Sequence, residues 1–232
     1  MQIASAQRLW LATAVALAAL LAWDTTALDM AMAQWFGGAA GFPLRQHWLF
    51  SAVLHEGGRF ASWAVALWLC AGVWLPTGWL RRIQLSRRAQ LALTTLLAVL
   101  AVSGLKSFSP TSCPWDLAAF GRTAQHLSHW AFSSDGGSGR CFPAGHASAG
   151  FAFIGGYFAF RRRAPALACG WLTGAVLAGL LLGVSQQVRG AHFMSHTLWT
   201  GWLCWLTALG VDTLWTALPR LGVPSVNPGA QR

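Results

Sequence analysis

Residues 89–114 read AQLALTTLLAVLAVSGL followed at once by KSFSPTSCP. The first part, Ala89 to Leu105, is uncharged and mostly aliphatic, the pattern of a helix in lipid. It falls short of the ~20 residues a span needs, so the helix has to run on into its flanks. The second part opens with Lys106, the chain's only lysine. The whole sequence is 55% hydrophobic and 9% charged, a balance that suits a lipid-embedded chain.

Working outward, five more apolar stretches appear: Leu9 to Trp23, Phe60 to Leu80, Ala147 to Phe160, Ala164 to Val184, and Thr197 to Leu218. The expected fold is all-α, a polytopic membrane helix bundle with six transmembrane helices. It forms one domain over residues 1–220, with 221–232 a short tail rich in turn residues. Arg8 before the first stretch also fits a signal peptide, but WDTTALDM follows instead of an A-x-A site, which favours a span.

Seven arginines cluster in RRIQLSRR (Arg81 to Arg88) and RRR (Arg161 to Arg163). Arg8 and Arg220 fall on the same side, which the positive-inside rule makes cytoplasmic. Arg45, Arg59, Lys106, Arg122, Arg140, Arg189 and all seven histidines fall on the other side, so any chemistry faces outward. The net charge of +10 does not point to nucleic acid, because it is split between loop anchors and scattered positions, with no basic patch on a soluble domain. The fifteen tryptophans fit interfacial belts.

Three polar segments lie on the outer side, each at the end of a span. The first carries Lys106, which is either a snorkelling anchor or a functional cation. The second, CFPAGHASAG, places Pro143, Gly145 and His146 where a helix begins, so free N–H groups and the positive end of a helix dipole point outward and suit an anion. The third, SQQVRGAHFMSH, carries Ser185, Gln186, Arg189, His192 and His196, the two histidines being four apart and, if the last helix starts before them, on one helix face. Cations, histidines and a helix start make a pocket for a phosphoryl group: Lys106 and Arg189 neutralise its oxygens, one histidine attacks phosphorus, and another protonates the leaving oxygen.

The segments resemble the type 2 phosphatidic acid phosphatase (PAP2) family, whose signature is K-x6-R-P, then P-S-G-H, then S-R-x5-H-x3-D. Here Lys106 is followed after six residues by Cys113-Pro114, then Pro143-Ala144-Gly145-His146, then Ser185-Gln186, five residues, His192, three residues and His196. The resemblance implies a metal-independent, cofactor-free mechanism through a phosphohistidine, with His192 the nucleophile, His146 the general acid, and Lys106 and Gly145 in the phosphate cradle. Four positions depart from the pattern: Cys113 and Gln186 for arginine, Ala144 for serine, and His196 for aspartate. Arg189 is the natural substitute for a missing arginine, with Arg122 or Arg140 as another. His196 can accept a hydrogen bond from the nucleophile but adds no charge, so a carboxylate is expected either from Glu56 or Asp116 or not at all.

Of the five cysteines, Cys70, Cys169 and Cys204 fall in apolar stretches. Cys113 and Cys141 alone lie in outward polar segments, in an oxidising compartment, and are expected to form a disulfide; the alternative is two unpaired thiols. The leading function is a phosphatase or phosphotransferase acting on a lipid phosphate at the periplasmic face of a bacterial inner membrane. Undecaprenyl diphosphate, phosphatidylglycerol phosphate, phosphatidic acid and lipid A are the candidate partners. Two alternatives stand beside it. One is a metal-dependent membrane hydrolase using the His192/His196 pair with His126, His129 or Glu56; the other is a non-catalytic lipid-phosphate-binding or transport protein.

Overall fold

The computed structural model describes residues 5–131 and 133–217, and these contain helices and no strands beyond two isolated bridges. The expected tail at 221–232, and Arg220, lie outside the described residues.

The helices are α1 (Ala6–Asp24), α2 (Leu28–Gln34), α3 (Gly58–Ala71), α4 (Leu85–Phe108), α5 (Ser148–Phe160, with a tighter turn in its middle), α6 (Pro165–Val188) and α7 (Met194–Ala217). Most outgrow the apolar stretches that announced them. The α4 helix gains a turn at its start and takes in Lys106, while α6 runs on through Gln186 and α7 starts before His196. These polar residues stay helical because the bundle supplies their partners. The second stretch is the exception. Its helix stops at Ala71, and Gly72, Pro76 and Gly78 (φ 51°) turn the chain into a short 3-10 segment, Gly78–Arg82, because proline ends a helix and glycine alone takes that φ freely. Two elements lie outside the six apolar stretches: α2 and a π-helical segment, Leu49–Gly57, that leads into α3.

Among the described residues, α1, α4 and α6 are long and apolar enough to cross a membrane. The α7 helix matches α4 in length but devotes Ser195, His196, Thr197, Thr200 and Asp212 to the interior. Many large apolar side chains point outward: Trp74, Leu75, Leu100, Phe108 and Leu214 are well exposed. A surface this apolar belongs against lipid.

The interior is built from small residues. Gly150 of α5 lies so close to α6 that a Cβ would stand 2.2 Å from the Gly179 nitrogen, and one on Gly183 would stand 2.2 Å from the Thr197 methyl of α7. This close approach of backbones is how helices associate where lipid gives no hydrophobic drive. Around it pack Leu9, Ala98, Val102, Phe151, Ile154, Phe158, Cys204 and Leu209. The α1 helix is tied on by tryptophans of α7: Trp202 donates to the Thr13 carbonyl (3.1 Å) and Trp205 to the Thr13 hydroxyl (2.8 Å). At the arginine-rich end, buried Asp212 of α7 accepts from Gln90 (3.0 Å), Arg161 (2.8 Å) and Arg162 (3.2 Å). At the other end, α4 finishes, α5 and α7 begin and α6 ends, which collects the three polar segments in one place.

Candidate active site

The second segment forms the floor. Phe142–Pro143 is a cis peptide, and the Ala144 N–H donates to the His196 carbonyl (3.1 Å) while the Ala144 carbonyl accepts from Thr200 (3.0 Å). Ala144 is therefore fully buried against α7, with its N–H already in use. The N–H groups of Gly145, His146 and Ala147 have no hydrogen-bond partner among the described residues and form the free start of the helical run into α5. Lys106 lies across Gly145, since a Cβ there would stand 3.3 Å from its Cδ. A backbone anion nest and an ammonium thus share one spot.

His146 is half-buried, and its Nε2 donates to the His55 carbonyl (2.7 Å). The His55 ring stacks on it at 3.8 Å, 3° from parallel. Behind His55 stands Glu56, which accepts at Oε1 from His55 Nδ1 (3.0 Å) and at Oε2 from Arg59 (2.7 Å). Burial lowers the pKa of His146 to about 4, and the charges of His55 and Arg189 push the same way, while the His55 carbonyl opposes them.

His192, in the turn between α6 and α7, is 7% exposed. Burial holds its pKa well below 6.5, and Lys106 and His196 push it further down. His192 is thereby kept as a neutral imidazole, the form that can attack. Its Nδ1 lies 3.5 Å from Cys141 Sγ, and its ring centroid 5.8 Å from that of His196. Arg189, at the end of α6, donates to the Arg45 carbonyl (2.9 Å) and to Gln186 Oε1 (3.1 Å). Gln186 is thus spent on orienting the arginine. Arg45 in turn lies over the Trp115 ring at 4.2 Å.

Glu56 serves His55 and Arg59, and half-buried Asp116 accepts from Ser138 (3.0 Å); neither carboxylate is bonded to His192 or His196. Arg122 lines a separate pocket with Arg45 and Trp115, and Arg140 stands exposed in the outer loop at φ 56°. Sequence reasoning missed His55, Asp24, Asp29 and Asp135. The HEGGR segment was the only signal for the first. The two N-terminal acids carried none, because their partners lie more than 100 residues away, apart from Trp23, which donates to Asp29 (3.0 Å).

Cys113 and Cys141 are joined by a disulfide. Their segments lie side by side, with Arg140 N–H on the Ser109 carbonyl (2.7 Å) and Cys141 N–H on the Thr111 carbonyl (2.9 Å), and Asp135 caps Ser112 through two 2.6 Å bonds. The bond therefore ties the Lys106 segment to the His146 segment. It also decides what the cluster of Cys141, His192 and His196 can hold. Their donor atoms lie within 4.8 Å of one another, but a disulfide sulfur is not a thiolate, which leaves two histidines as ligands.

Two expected results follow. Protein purified without reductant should show neither Cys113 nor Cys141 alkylated by intact-mass analysis, and reduction should cost roughly 3 to 4 kcal/mol for a closed loop of this size. Free thiols at both positions would count against the bond. The second concerns pH. Neutral His192 persists well below pH 6.5, while the protonated fraction of free His146 grows as pH falls towards 4. Hence kcat/KM, which reports the free enzyme, should rise from pH 7 to pH 5. A profile that falls below pH 6.5 would contradict the shift at His192, and one that levels off below pH 6.5 would contradict the shift at His146.

The model of the PAP2 superfamily matches residues 88–219, more than half of the 232-residue chain. No curated protein and no solved structure matches the chain. The matched region runs from the start of α4 to the end of α7 and contains Lys106, His146, His192 and the loop that the disulfide closes. The chain belongs to the PAP2 superfamily, whose members are phosphatases.

Proposed function

We propose that this protein is a metal-independent phosphatase or phosphotransferase for membrane lipid phosphates or diphosphates, working at the periplasmic face of a bacterial inner membrane. The observation that carries the lipid part is a groove of about 330 Å³ between α3, α4 and α5. At one end it is lined by Gly145, His146 and Arg59. Along its length it is lined by Trp63, Ala66, Leu96, Val99, Leu100 and Phe153. A phosphate held at Lys106 and His146 would have its apolar tail in that groove, and a water-soluble phosphate would leave the groove empty.

In this reading Lys106, Arg189 and the free N–H groups at 145–147 hold the phosphoryl oxygens. His192 attacks phosphorus, and the bond to the leaving oxygen breaks as His146 protonates that oxygen. Water, or an acceptor hydroxyl in phosphotransfer, then releases the phosphoryl group from His192, with His146 taking the proton back. Substrate anions raise the pKa of His146 in the complex, which is what arms it as an acid.

The test is phosphate release in detergent micelles from short-chain phosphatidic acid, compared with glycerol phosphate, with and without excess EDTA. The lipid should be preferred by at least about 10-fold in kcat/KM, since buried methylenes add ~0.8 kcal/mol each, and EDTA should change nothing. Equal rates on both substrates would remove the lipid assignment. Loss of activity in EDTA would favour the metal-dependent reading.

A further inference from the structure

A nucleophilic histidine that takes on positive charge during attack works best with an anion held behind it. His196, the neighbour of His192, carries no negative charge, and no carboxylate among the described residues touches either ring. His196 does, however, line a second cavity, of about 120 Å³, whose walls also include Asp24, Asp29, Thr111 and His129. Three buried side-chain atoms of these wall residues lack a hydrogen-bond partner among the described residues: Asp24 Oδ1, Thr111 Oγ1 and His196 Nδ1. Orphaned buried polar atoms are rare, and three on one cavity need a common explanation. The space admits up to about four waters, and two or more polar partners suffice to hold one.

The two acids of this cavity are not equivalent. Asp29 is spent on the start of α7, accepting from the Ser195 N–H (2.9 Å) and the Ser195 hydroxyl. Asp24 ends α1 with its side chain 5% exposed; its Oδ2 accepts from His129 (3.1 Å), Trp130 (2.9 Å) and Trp199 (3.0 Å), and these leave Oδ1 free. The His129 ring stands edge-on to His196 at 5.8 Å, the same separation as between His196 and His192.

We propose that Asp24 is the positioning carboxylate for His192, acting through ordered water in this cavity and through His196. The proposal rests on the reading of His192 as nucleophile. Asp24 exchanges no proton in this scheme. As the nitrogen–phosphorus bond forms and the phosphorus–oxygen bond breaks, the imidazolium at His192 is stabilised by the carboxylate, while His146 supplies the leaving group's proton. The anion then comes from α1, which lies outside the region matched by the family.

The test is a double-mutant cycle on kcat and KM with a short-chain lipid phosphate. Asp24→Asn keeps the shape and removes the charge. It should lower kcat by about 10- to 100-fold, the usual scale for a group acting behind a ligand or nucleophile, with KM changed less than about threefold. Thr111→Val, which removes one cavity partner, should lower kcat in the same direction. In a His196→Asp background, where a carboxylate stands next to His192, Asp24→Asn should change kcat by less than about threefold. A merely structural role for Asp24, through its two tryptophans, would give the same loss in both backgrounds and overturn the proposal. No loss in the unaltered chain, or an inactive His196→Asp parent, would overturn it too. His192→Ala separates the two ideas: if that variant turns over, the nucleophile reading fails first.

Discussion

Replacing His192 with Ala is expected to lower phosphate release from a lipid phosphate by at least about 1000-fold, because removing a covalent nucleophile costs nearly everything the catalytic group supplies together. The hydrogen bond of the buried imidazole is to the Cys141 backbone, which the disulfide and the Thr111 carbonyl hold independently of it, and its own backbone sits in the turn between α6 and α7. The variant should therefore stay folded by thermal melt and still bind a phosphate analogue through Lys106 and the N–H groups at 145–147. Rapid quenching of the unaltered chain with labelled substrate should trap acid-labile, base-stable phosphate on the protein. The same quench should trap none on the variant. Undiminished turnover in His192→Ala would sink the mechanism, whatever the substrate.

The second large effect lies at the opposite end of the bundle. Asp212 is 1% exposed and joins α7 to Gln90 of α4 and to Arg161 and Arg162 beyond α5. Asp212→Ala removes the carboxylate that this cluster holds among the described residues and leaves a hole beside its buried donors. Breaking a buried pair in this way costs about 3–5 kcal/mol. In mild detergent the thermal midpoint should fall sharply, whereas a substitution of exposed Arg81 should scarcely move it. Since Asp212 touches nothing in the candidate site, KM of the folded fraction should be unchanged. A midpoint within the error of the parent would show that these helices are held by packing alone.

How much of this was legible beforehand depends on the range of the interaction. Helix existence was readable in α4, α6 and α7 because twenty-odd residues repeat the same apolar message. That the short helices run on into their polar flanks was readable too, but not how far, since Lys106, Gln186 and His196 look like loop residues until neighbouring helices supply their partners. The break after Ala71 was missed for the converse reason: Trp74, Leu75, Trp79 and Leu80 continue the apolar run, and Gly72, Pro76 and Gly78 weigh little in a hydropathy reading. Within the site, the spacing of Lys106, His146 and His192 was visible, whereas the stack of His55 on His146 spans 91 residues and has no local trace.

The sequence by itself determined the all-helical membrane character, the family-like order of the polar segments, and the choice of Cys113 and Cys141 as partners. Each of these follows from composition or from short spacings, which a linear chain states directly. Tertiary structure alone decided which carboxylate serves which histidine. Glu56, one of two candidates to serve the nucleophile, is turned to His55 and Arg59, and Asp24, unremarked beside Trp23, is buried among His129, Trp130 and Trp199. A carboxylate's influence falls off over a few ångströms in any direction, and only packing α1 against α7 brings residues 24 and 199 within that reach.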